Sequence, residues 1–116
     1  MLKKLRRKMT ESLDEIEDQR LTDRMADFDV THIDQLPLRT KALFGGEVQG
    51  VQVVPRAGSP SLEVTLGDGT GRVVTVFTGR RRLGGLAVGR RVLIEGVVRQ
   101  ERARLVAMNP AYTIVE

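Results

Sequence analysis

The chain has 116 residues, 41% of them hydrophobic and 29% charged, with no cysteine and a single histidine. That is room for one ordinary domain and an appendage, in the composition range of globular rather than disordered chains. Disulfide scaffolds, thiol nucleophiles and cysteine-based zinc sites are excluded, His32 alone builds no metal cluster, and no run approaches the ~18 apolar residues of a membrane span.

The net charge of +4 hides a segregation. Residues 1–8 carry +5, residues 9–37 carry −7, and residues 38–116 carry +6. No apolar stretch follows the basic start, so it does not read as a secretory signal, and the expected address is the cytoplasm. A basic body attracts polyanions by Coulomb forces. The plainer reading is that these charges keep a small domain soluble.

The first 36 residues contain neither glycine nor proline. Leu2, Leu5, Met9, Leu13 and Ile16 recur at steps of three and four, the stripe of an amphipathic helix. The stripe slips between Ile16 and Leu21, then resumes as Leu21, Met25 and Phe28. Ser12 and Glu15 have capping-box spacing, so the region reads as one helix or two short ones, or as a segment that orders only against a partner. Residues 1–37 are the predicted helical or partly disordered extension; residues 38–116 are the predicted domain.

From residue 41 the period changes to two. Lys41–Val54 predicts a long first strand, with Phe44, Gly46 and Val48 on one face and a bulge or sharp coil near Gly45, Gly46 and Gly50. A loop is expected over Pro55–Pro60. Leu62, Val64 and Leu66 alternate with Glu63 and Thr65 as a half-buried second strand. Gly67-Asp68-Gly69-Thr70-Gly71 reads as a hairpin turn, because a strand and not a helix follows it and no helix N-terminus is offered to a phosphate. Arg72–Phe77 is the return strand. Leu83 and Leu86, three apart within Thr78–Gly89, predict one helical turn. Arg90–Arg99 is the fourth strand, and Arg104–Val115 the fifth, interrupted at Asn109-Pro110.

An open five-stranded sheet of this size leaves its apolar face wet, and closing it buries that face and removes the edges. The order three strands, short helix, two strands fits an all-β, five-stranded Greek-key OB-fold barrel whose helical turn between strands three and four plugs the bottom. An SH3-like barrel is the rival.

The residues also carry a resemblance. Thr31-His32-Ile33-Asp34-Gln35-Leu36-Pro37 with Gly46-Glu47-Val48, the Pro55–Glu63 run, Leu66–Gly71, Phe77-Thr78-Gly79-Arg80-Arg81, Val88-Gly89-Arg90 and Asn109-Pro110-Ala111-Tyr112 together resemble small bacterial OB-fold nucleic-acid-binding proteins over residues 31–116. The middle is also similar to OB modules of helicase wedge domains and of aminoacyl-tRNA synthetase anticodon-binding domains. The resemblance implies the barrel and, by analogy, nucleic-acid binding. Phe77 stands where similar proteins often carry tryptophan.

OB barrels bind single strands across strands two and three, between the loops joining strands one–two and four–five. Here that predicts a floor of Glu63, Thr65, Arg72 and Val74, with Arg56 on one wall and Arg99, Arg102 and Arg104 on the other. Arg80, Arg81 and Arg82 extend this groove or form a separate patch. Arginine suits the task because its planar fork donates two parallel hydrogen bonds to a phosphate and stacks on bases. Aromatic stacking platforms are scarce, and Phe44 and Phe77 are expected to be buried. Four phosphate contacts would give a slope of log K against log salt of about −0.7 × 4, near −3. No nucleophile–base pair, metal site or cofactor motif is evident, so neither catalysis nor a cofactor is expected. The expected function is non-enzymatic binding of single-stranded DNA or RNA with little sequence preference. The alternative is a protein-interaction or oligomerisation module working through the barrel or residues 1–37. The acidic segment packs against the barrel or screens its basic surface.

Overall fold

The computed structural model describes the backbone of residues 2–116 and the side chains of residues 6–116. Leu2 and Leu5 of the apolar stripe, and Lys3 and Lys4 of the basic arm, lie outside the described side chains.

Of the expected alternatives, one helix or two, the chain forms one continuous helix, α1 (Leu2–Met25). No glycine or proline interrupts it, so nothing in the chain stops propagation at the slip in the stripe. The slip marks a change of environment instead. At about 100° per residue, Met9, Leu13 and Ile16 cluster on one side of the axis, and Leu21 and Met25 lie roughly 130° further round. Met9, Leu13 and Ile16 are 62–66% exposed, whereas Leu21 and Met25 are 2% and 7% exposed. The C-terminal third therefore docks and the N-terminal half projects. No helix among the described residues is long and apolar enough to cross a membrane.

A 3₁₀ turn, Ile33–Gln35, follows the helix, and His32 before it is exposed. Ile33, 1% exposed, joins the main core. Asp68 fixes it there. Its carboxylate accepts from Ile33 N at 2.9 Å, from Thr70 N at 2.9 Å and from Gly71 N at 3.1 Å. The same aspartate thus shapes the glycine-rich hairpin turn and pins the connector to it.

Six strands follow: β1 (Lys41–Arg56), β2 (Ser59–Gly67), β3 (Arg72–Thr78), β4 (Arg91–Glu101), β5 (Arg104–Met108) and β6 (Ala111–Ile114). The expected fifth strand is divided at Asn109-Pro110, where Asn109 turns the chain at φ 47. β5 pairs with β3 and β4, and β6 pairs with β4. β1 is shared: Lys41–Glu47 pairs with β4, and Glu47–Arg56 pairs with β2 across a bulge between Val48 and Gly50. The pairings close a five-stranded ring, β1-β2-β3-β5-β4 and back to β1, with β6 appended. At the crossing, a Cβ on Gly46 would lie 2.7 Å from the Gly67 carbonyl oxygen, so only glycine allows the two backbones to meet.

Two local expectations need correction. Pro55–Pro60 is not an open loop, because pairing continues through Pro55↔Pro60 and Arg56↔Ser59. Only Ala57 (φ 48) and Gly58 (φ 81) form the turn, the two positive angles that a tight hairpin requires. Nor is there a helix between β3 and β4. Gly79, Gly85 and Gly89 all take positive φ there, which a helix does not accommodate. Leu83 and Leu86 nevertheless pack on the same core as Ile33, on irregular chain where a helical turn was expected.

Alternation does the rest. Phe44, Leu62, Val64, Leu66, Val73, Val92, Ile94 and Val98 point into the ring and are at most 2% exposed. Each such burial stabilises by about 1.5–3 kcal/mol. Helix and ring meet at Glu47, the residue where β1 passes from one partner to the other. Its carboxylate, 8% exposed, accepts from Arg20 at 2.6 Å and Arg24 at 2.7 Å. Arg24 also reaches Glu116, which Arg91 holds from the other side.

Candidate nucleic-acid interface

The outward faces of β2 and β3 follow from the register. Thr65 lies opposite Val74, Glu63 opposite Val76, and Gly67 opposite Arg72. Beside them the β4–β5 hairpin raises a wall. Glu63, Thr65, Arg72 and Val74 line one open groove of about 680 Å3 together with Gln52, Gln100, Ala103, Arg104 and Leu105. Its base is apolar: Val74, Val76 and Val106 form a second small core outside the ring, with Met108 against it. Arg56 reaches toward it, its Nη1 4.0 Å from the Met108 sulfur.

Charges at the groove are paired. Glu63, with a side chain 9% exposed, takes Arg104 at 3.0 Å and Arg56 at 3.7 Å. Glu101 takes Arg56 at 2.9 Å, Arg99 at 3.0 Å and Arg104 at 3.6 Å. Hydrogen bonds from Arg56 and then Arg99 hold the Glu101 carboxyl below the ordinary glutamate value of 4.5. Three guanidiniums surround two carboxylates, so this wall is oriented but carries little net charge.

Arg72 differs. It is exposed and makes no ion pair among the described residues. It and Thr65 also line a neighbouring groove of about 660 Å3, shared with Gly50, Gln49, Glu17 and Arg20. The two grooves lie side by side and share Thr65 and Arg72, so together this trough spans from the β4–β5 hairpin to the side of α1. Arg102 sits at the hairpin tip at φ 56, and its carbonyl accepts from the Gln100 side chain at 2.8 Å.

Arg80, Arg81 and Arg82 do not line the trough. They are exposed on the chain after β3, and Arg81 borders a separate depression with Val53, Pro55, Gly58, Ser59 and Pro60. Of the acidic segment, Glu17 borders the trough end, while Glu11, Asp14 and Glu15 are exposed on the projecting part of α1. The sequence reading passed over Gln52 and Gln100, which line the groove, and Glu101, which pairs with Arg56 and Arg99 beside it. Gln52 was findable, since it pairs with Glu63 in a plain β1–β2 register. The trough lining contains no aromatic ring. Phe44 is fully buried, and Phe77 is 6% exposed with its ring 5.6 Å from Tyr112, edge to face. No group of three or more metal-ligating side chains occurs among the described residues.

No protein-family model matches the chain, and no curated protein matches it in sequence. Among solved structures, it is similar to a chain from the structure of a replication protein A heterotrimer bound to ssDNA, with a TM-score of 0.52 and 15% identity. The match covers 72% of this chain and 63% of that one. The likeness reaches the fold and does not extend to the bacterial family that residues 31–116 resemble.

Proposed function

We propose that this chain is a non-enzymatic OB-fold module that binds single-stranded DNA or RNA along the trough, with little sequence preference. The observation that carries this reading is the groove across β2 and β3, lined by Glu63, Thr65, Arg72, Val74 and Arg104, with the Arg72 guanidinium in no ion pair among the described residues. Arg56, Arg99 and Arg102 lie outside that lining, Arg56 and Arg99 being held beside it by Glu101. The shared fold with a chain of a heterotrimer solved on ssDNA supports the same reading. So does the resemblance to small bacterial OB-fold proteins.

The lining dictates the mode of binding. Sequence-tolerant binders that stack bases on aromatic rings gain about 1–3 kcal/mol per base, and this trough offers no ring for that. Phosphate contacts then dominate. At the β4–β5 end, Arg56, Arg72, Arg99, Arg102 and Arg104 against Glu63 and Glu101 leave three net positive charges, while at the α1 end Arg20 is set against Glu17 and Glu47. With phosphate held at the basic end, the expected salt slope is about −0.7 × 3, near −2, shallower than arginine counting alone gives.

Fluorescence anisotropy of labelled single-stranded oligonucleotides, titrated at several salt concentrations, tests this. Binding that weakens with salt along a slope near −2 supports it. Absent binding, or binding indifferent to salt, removes it.

A further inference from the structure

Taking the trough as the seat of a single strand, the reading proposed above, we infer that α1 is its end-stop. Glu17 and Asp18 turn phosphates back just beyond Arg72, so the site engages about three phosphates however long the strand is.

The placement of charge around Arg72 carries this. Arg72 borders three adjoining hollows. On the β4–β5 side it shares the lining with Thr65, Val74, Gln100 and Arg104, and the one carboxylate there, Glu63, is already taken by Arg104 and Arg56. On the α1 side the sign changes. Glu17, Arg20 and Glu47 border one hollow with Arg72, and Asp18 borders the other. Arg20 has little left to offer a ligand, because it donates to Glu17 at 2.7 Å and to Glu47 at 2.6 Å. Asp18 is exposed and makes no ion pair among the described residues. Glu17, Asp18 and Glu47 against Arg20 and Arg24 leave one net negative charge at this end, opposite the three positive charges of the other.

Screening does not hide these carboxylates. The hollow between Asp18 and Arg72 is about 130 Å3, roughly 6 Å across, which is inside the ~8 Å screening length of physiological salt. Asp14, four residues before Asp18 and also exposed, stands one turn further out on the same side of the helix. A strand running on past Arg72 therefore meets negative charge at each successive turn of α1. The basic end alone serves about three phosphates, the backbone of a four-nucleotide strand. That lies at the lower limit of the ~4–16 nucleotides an OB fold covers.

Salt titrations of labelled thymidylates and uridylates, four and twelve nucleotides long and read by fluorescence anisotropy, test this. The slope is the deciding quantity, since a longer strand also gains affinity by offering more registers, and that gain leaves the slope alone. The unaltered chain should give the same slope, near −2, at both lengths. Glu17→Gln with Asp18→Asn should steepen the twelve-mer slope alone, by about 0.7, which is about fivefold tighter binding at 0.1 M salt referred to 1 M. Glu11→Gln with Glu15→Gln makes the same change in net charge on a part of α1 that borders none of the three hollows, and should alter neither slope. A twelve-mer slope steeper than the four-mer slope in the unaltered chain overturns the end-stop. So does a gain from Glu17→Gln with Asp18→Asn that is absent, equal at both lengths, or reproduced by Glu11→Gln with Glu15→Gln, circular dichroism showing the helix intact in each. No binding of either strand type at either length removes the binding reading itself, and the end-stop with it.

Discussion

Replacing Glu63 by glutamine removes one negative charge from the trough while keeping an amide oxygen for one of its two arginines. Glu63 sits under Arg104 at 3.0 Å and Arg56 at 3.7 Å, so its loss releases positive charge on the wall a phosphate chain would follow. Net charge rises by one, and the salt slope should steepen by about 0.7, from near −2 to near −3. Referred to a common value at 1 M salt, that is about fivefold tighter binding at 0.1 M. The assay is oligonucleotide anisotropy on both proteins over this salt range, with thermal melts to confirm that both are folded. Equal affinity and equal slope would refute the reasoning, because Arg56 and Arg104 would then face no phosphate. Weaker binding with an unchanged slope would do the same, assigning Glu63 to the ligand rather than to the arginines.

Arg72→Ala should flatten the slope by about 0.7, whereas Arg80→Ala with Arg82→Ala should leave the slope unchanged, measured by the same titration. Phe44→Ala opens the centre of the ring and should lower stability by about 3–5 kcal/mol in urea denaturation. Gly69→Ala puts a Cβ 2.2 Å from the Asp18 carbonyl oxygen at a φ of +89, so α1 should lift from the turn. Backbone strain alone is about 1–3 kcal/mol there, and hydrogen exchange at the Leu21 amide should accelerate. Because the Glu101 carboxyl is held below 4.5, its contribution to stability is present above that value and is lost as pH falls through the lower, folded one. Affinity for an oligothymidylate should stay flat from about pH 8 to 5 and rise below, as protonation of Glu101 releases Arg56 and Arg99.

The ring was legible because its physics is local. Alternation at Leu62, Val64 and Leu66 marked the inner face of β2, and therefore also Glu63 and Thr65 on the outer one. Glycines at Gly46 and Gly50 marked where β1 bends to serve two partners. What escaped was non-local. Glu101 neutralises Arg56 from a position 45 residues away, a contact made by the meeting of two hairpins and by nothing in either stretch. Helix α1 docks through Arg20 to Glu47, 27 residues on, so the slip in its stripe left one helix or two equally open. The chain from Gly79 to Arg90 misled in the opposite direction. Its leucine spacing is helical, yet glycines at positive φ set the path while the leucines still reach the core.

The attachment of α1 at Glu47 has a mechanical consequence. The helix is held at one end only, and the free end extends about 20 Å from the last docked turn, so it acts as a lever whose fulcrum is the seam of the ring. Glu17 and Arg20, just outboard of that fulcrum, form part of the trough's rim.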